Sequence, residues 1–141
     1  SRVSRGLGDV YKRQVSYRSA SCGCCKKWIN HLRDNGLEVV DNIVEDVSAI
    51  KIQYQIPNNL RSCHSAQIGK YTIEGHVPIE SIKKLLEEKP LISGLAVPGM
   101  PHGSPGMEIH SHESHSHDYE SYEVVAFSES GKTKIFDKIS P

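Results

Sequence analysis

Three cysteines crowd into four positions in the stretch SCGCCKKW (residues 21–28), directly after a strand-like run and directly before a run with helical spacing. Sulfur at such a junction faces unpaired amide N–H groups and the positive end of a helix dipole. The elements on either side therefore decide what these cysteines belong to. Upstream, VSYRSA (15–20) reads as a short strand, and from Cys24 to Asn35 the apolar residues Trp28, Ile29 and Leu32 share one helical face before Gly36 stops the helix. LEVVD (37–41) reads as a second strand. Residues 45–55 read as a second helix, with Val47, Ile50 and Tyr54 as its apolar face and Pro57 beyond its end. Two short runs flank Gly69-Lys70, a hairpin turn with glycine at its first central position. In residues 78–90, Ile79, Ile82, Leu85 and Leu86 line one face of a third helix, with Pro78 and Pro90 at its ends. The order β-α-β-α-β-β-α predicts an α/β, thioredoxin-like core: a mixed four-stranded sheet with flanking helices. Periodicity alone permits other α/β arrangements.

Within 141 residues this core occupies 15–90. Residues 1–14, SRVSRGLGDVYKRQ, lack the patterning that follows, resemble translated sequencing-adapter text, and are read as a non-native or disordered leader. An export signal could have been lost with the true N-terminus, so its absence carries little weight. Residues 91–109 read as a Pro/Gly/Met loop packed on the core, 110–121 as a His-rich insertion, and 122–141 as a C-terminal β-hairpin turning at SESG (128–131). Lys plus Arg equals Asp plus Glu at 17 each, so no basic excess points to nucleic acid. No apolar run reaches the roughly 18–20 residues that cross a bilayer. Paired carboxylates, a Ser-His-Asp arrangement and a phosphate-cradling glycine loop are all missing from the text, which argues against hydrolase and nucleotide chemistry.

The chain has four cysteines, Cys22, Cys24, Cys25 and Cys63. A disulfide framework would spread them along the chain, so the cluster reads as chemistry. A helix N-terminus lowers the pKa of a thiol placed there, and thiolate both attacks disulfides and binds metal. Cys22 and Cys25 have redox-pair spacing, Cys22 attacking and Cys25 resolving in a thiol-disulfide oxidoreductase. Cys24 departs from that pattern: a third thiol would compete in exchange, yet it adds a soft donor to a metal site. The second element is SCHS (62–65), where Cys63-His64 stands at the position a thioredoxin fold gives to proline. Proline offers no ligand atom; cysteine and histidine offer a thiolate and an imidazole. Either residue alone would read as an ordinary buried side chain.

CGCCKKWINHLRDNGLEV, LRSCHSAQIGKYTIEGHVP and GLAVPGMPHGSPGME resemble successive motifs of the uncharacterised-domain family numbered 411, the CopG-like proteins of bacterial copper resistance. The resemblance runs from about residue 15 to the end, interrupted by the His-rich insertion. It implies an exported, periplasmic, thioredoxin-like protein of copper binding and redox handling, with Cys22, Cys24, Cys25 and Cys63 as metal ligands. Metal ions are then its partners, together with other copper-resistance or redox proteins. Whether such a chain is an enzyme or a binding protein the motifs leave open. Soft thiolates favour Cu(I), and bridging sulfur lets four of them hold more than one ion. Zn(II) in a sulfur tetrahedron is the structural alternative. His64 is a further candidate ligand. So are Met100 and Met107, thioethers in a Gly-Pro loop that could equally just cover the site. His110, His112, His115 and His117 form a loose metal-collecting arm, or a solvated loop. His31 is read as a surface residue and His76 as a cap for the third helix, neither as a ligand.

Overall fold

The computed structural model describes residues 13–98 and 121–139. Strand β1 (Arg13–Arg18) pairs in parallel with β2 (Glu38–Ile43) on one side and antiparallel with β3 (Ser65–Ile68) on the other. A parallel neighbour needs a crossover, and α1 (Gly23–Asp34) supplies it. Its apolar face, Trp28, Ile29 and Leu32, is buried, as the spacing predicts, and Cys25 is buried with it. The strand starts two residues earlier than the sequence patterning indicates, because Gln14 already pairs with Val39 and Ile68.

After β2, the Asp46 carboxylate accepts the Ala49 N–H at 3.2 Å and caps α2 (Val47–Gln53). This helix differs from expectation: Val47, Ile50 and Tyr54 are only half-buried, and Lys51 is its one buried residue. A 3-10 turn (Asn58–Leu60) follows Pro57 and leads into β3. Gly69, at φ +57°, then turns the chain into β4 (Tyr71–Gly75), with Ile68 facing Tyr71. Helix α3 (Ile79–Glu88) buries Ile79, Ile82 and Leu85 on the same face of the sheet that Trp28 and Leu32 cover.

The four strands β2-β1-β3-β4 form the expected mixed thioredoxin-like core, and the sheet does not stop there. Strands β5 (Gly94–Val97), β6 (Tyr122–Phe127) and β7 (Thr133–Ile139) extend it to seven, in the order β2-β1-β3-β4-β5-β6-β7. β6 and β7 are the predicted hairpin, turning at Gly131, whose N–H reaches Ser128 O at 2.9 Å. β5 lies in the segment read as loop. It is four residues long and buried throughout, so it shows no alternation, and its flanking glycine and prolines dominate the local text. Gly94 is required there: a Cβ would lie 1.8 Å from Thr72 O on β4. Gly94→Ala is expected to destabilise the fold by about 3 kcal/mol or more, seen as a lowered urea midpoint.

Candidate metal centre

Arg18 ends β1 with a bidentate pair to Asp41 on β2, both bonds at 2.9 Å, and the chain then turns so that Cys22 N–H reaches Ser19 O at 3.2 Å. This delivers Cys22 to the N-cap of α1, with Cys24 and Cys25 in the first turn. Residues three apart share a helix face. Cys22 and Cys25 accordingly form a disulfide, with Cα atoms 5.4 Å apart, while Cys24 and Cys63 are outside any disulfide. Cys24 Sγ lies 3.5 Å from Cys22 Sγ. All four Sγ atoms lie within 4.8 Å of one another.

Cys63 reaches this cluster because its loop is fixed from below. Glu74, fully buried on β4, accepts the Ser62 N–H at 2.6 Å, the Ser65 hydroxyl at 2.5 Å and the Lys51 ammonium at 2.5 Å. Lys51 also donates to Ser65 Oγ at 3.0 Å. The one buried residue of α2 is thus the counter-ion of the carboxylate that holds the Cys63 loop.

On its other side Cys63 faces imidazoles. Its Sγ lies 3.3 Å from His64 Nδ1 and 3.1 Å from His76 Nε2, and both histidines are fully buried. The His64 ring rests against the Trp28 indole, centroids 4.4 Å apart, and Trp28 is fixed by donating Nε1–H to Val77 O at 2.8 Å. His64 Nε2 has no hydrogen-bond partner among the described residues. Burial, then the neighbouring His76 and Lys51, hold His64 well below the usual histidine range, so it is neutral, the form that ligates metal. Burial, then the nearby Cys24, push the Cys63 thiol up to about 11. Metal entering here must therefore displace a proton from Cys63.

The raised value sets a pH signature. A thiol that holds its proton more tightly folded than unfolded stabilises the fold below the unfolded value and loses that contribution as pH rises through the folded one. Metal-free protein is expected to lose melting temperature between about pH 9 and about pH 11, with a shallower loss in Cys63→Ser.

The structure thus brings together Cys22, Cys24, Cys25 and Cys63, with His64 beside Cys63. Met100, Met107, His110, His112, His115 and His117 lie outside the described residues. Sequence reasoning missed His76. The N-cap of α3 is Pro78, without a side-chain cap, and the Ile79 N–H instead meets His31 Nε2 at 3.4 Å. The signal for His76 was present: pairing Ile68 with Tyr71 and Ser65 with Glu74, continued two residues outward, sets Cys63 opposite His76.

This fold and donor set define a thioredoxin-like protein with a cysteine-histidine centre at the first helix N-terminus. Residues 60–107 match the family described as "Protein of unknown function, DUF411". Among solved structures the chain is similar to copper resistance protein CopG in two forms. Form 1 is 40% identical over 92% of this chain and 98% of the other, with a TM-score of 0.81. Form 2 is 40% identical over 90% and 97%, with a TM-score of 0.80. No curated protein matches the chain. The chain belongs to the CopG copper resistance family.

Proposed function

We propose that this protein binds copper as part of copper homeostasis and resistance, holding Cu(I) between the N-terminus of α1 and the Cys63 loop. The observation that carries the reading is the convergence of four Sγ atoms, from segments some forty residues apart, to within 4.8 Å of one another. Thiolate is the ligand type that selects Cu(I), and sulfur can bridge ions, so four cysteines suit more than one copper ion. Zn(II) in a sulfur tetrahedron is the competing occupant. The residues present fit either ion once the Cys22–Cys25 disulfide is opened, which takes two electrons and two protons to give two thiols. Met100 and Met107 would add thioether donors, and His110, His112, His115 and His117 would collect ions for the site. Export to the periplasm accords with the CopG family and with a compartment in which disulfides persist. Other copper-resistance or redox proteins are the partners to which bound copper would pass.

A second reading is favoured by the disulfide itself. Cys22 and Cys25 are paired in the arrangement of a thiol-disulfide oxidoreductase, with Cys22 at the N-cap of α1. One substitution separates the readings. Cys24→Ser is expected to reduce the number of Cu(I) ions held by the reduced protein while leaving insulin-disulfide reduction, if present, unchanged. Unaltered copper loading in Cys24→Ser removes Cys24 from the centre. Zinc retained through anaerobic purification, with no response to Cu(I), favours the structural alternative.

A further inference from the structure

We propose that Gln14 and Ser16 hold internal water between β1 and α1, and that this water accepts the Nε2–H of His64, fixing the ring tautomer in which Nδ1 faces Cys63 as an acceptor. The observation behind it is a set of buried polar atoms with no hydrogen-bond partner among the described residues: both ends of the Gln14 amide, Ser16 Oγ and His64 Nε2. All three side chains are fully buried. Such atoms are costly when dry, and in folded proteins they are satisfied by protein groups or by ordered water.

Strand register places the three in one row. Gln14 and Ser16 are two apart on β1 and so point to the same face, where Ile68 and Ala66 stand opposite them on β3. Trp28 and Leu32 of α1 pack in the same apolar cluster as Ala66 and Ile68, so this is the face that α1 covers. His64 lies two residues before Ala66, diagonal to Ser16, and Gly75 N–H donates to its carbonyl at 3.0 Å, which carries the ladder with β4 up to it. Its ring rests on Trp28 with centroids 4.4 Å apart, on the same side.

Neighbours in such a row are roughly 7 Å apart at Cβ. A water with two bonds of about 2.8 Å bridges about 5.6 Å, and the side chains close the remainder. A buried water also needs two to four polar partners and space. The partners are the four orphan atoms, and directly opposed Ser16 and Ala66 are both short side chains where the water would lie.

The water decides where the ring hydrogen sits. A neutral imidazole carries one N–H, and the other nitrogen accepts. Nδ1 lies 3.3 Å from Cys63 Sγ, and sulfur is a weak acceptor, whereas a water oxygen is a good one. The hydrogen therefore belongs on Nε2, which leaves the Nδ1 lone pair toward Cys63. Ser16 and Gln14 are thus positioning residues for His64, acting through water.

The test uses metal-free wild-type protein, so its outcome is independent of the copper reading. Long-range proton–nitrogen NMR spectra of the imidazoles should show His64 with hydrogen on Nε2 and a bare Nδ1. Nuclear Overhauser contacts from long-lived water should reach the Ser16 and Gln14 side chains. Ser16→Ala and Gln14→Leu should each lose water contacts and shift His64 toward the Nδ1–H tautomer. Both should also lower the urea midpoint, since a hydrated network loses a partner; in a dry row, replacing an orphan polar atom by an apolar one raises it. A wild-type ring with hydrogen on Nδ1, or side chains at 14 and 16 without water contacts, overturns the proposal. So does a raised urea midpoint in both variants, or a tautomer unchanged in both. The wild-type spectra need no substitution, so a variant that fails to fold cannot mask the answer.

Discussion

Glu74→Ala is expected to destabilise the fold by about 3–5 kcal/mol, the loss that follows removal of one partner from a buried ion pair. Lys51 and Glu74 are both buried, Nζ and Oε2 are 2.5 Å apart, and truncation at 74 leaves the ammonium, among the described residues, its bond to Ser65 Oγ. The same truncation takes away the carboxylate that accepts the Ser62 N–H and the Ser65 hydroxyl. Urea unfolding followed by Trp28 fluorescence measures the effect. The double variant Lys51→Met/Glu74→Leu removes both charges together and should recover most of the stability. It cannot restore the bond to Ser62, so its reduced form should still bind copper more weakly than wild type. A stable double variant with full copper affinity would show that Glu74 supports the fold alone and does not position Cys63.

Cys63→Ser is expected to have the largest effect on metal. Cys63 is the donor that brings the β3 side of the fold to the α1 cysteines, and it is also the sulfur that faces His64 and His76. Replacing its thiolate by a hydroxyl removes a soft donor that oxygen does not imitate. The Cu(I) affinity of the reduced protein should fall by more than about 100-fold, beyond the range for losing an outer-shell partner. The fold should tolerate the change, because Cys63 is only half-buried and its loop is held by Glu74 through the backbone. Competition with a Cu(I) chelator of known affinity, together with circular dichroism, measures both halves of the expectation.

Much of this architecture is legible in residue order because the signals are local. Ile79, Ile82 and Leu85 repeat at helical spacing and are buried as that spacing requires. Gly69 marks the β3–β4 turn, and the cysteine cluster announces the N-terminus of α1. What was not legible depends on partners distant in sequence. Lys51 looks like a solvated lysine until Glu74, 23 residues away, is brought beneath it. β5 lacks alternation because it is buried on both faces, and its Gly94 reads as a loop residue although it is there for close approach to Thr72. His76 lies next to a helix start, which suggests a cap, whereas hairpin register turns it inward onto Cys63 and leaves His31 to meet the Ile79 N–H. The disulfide between Cys22 and Cys25 follows from their spacing, but the spacing alone does not separate a redox pair from two metal ligands.

Anaerobic Cu(I) titration of the fully reduced protein, with free thiols counted before and after, tests the central claim most directly. The four-sulfur centre predicts four reactive thiols in the metal-free state, tight uptake of at least one Cu(I) per chain, and protection of all four thiols once copper is bound. Four thiols that remain reactive at saturating Cu(I), or a protein that takes up no Cu(I) at all, would contradict it.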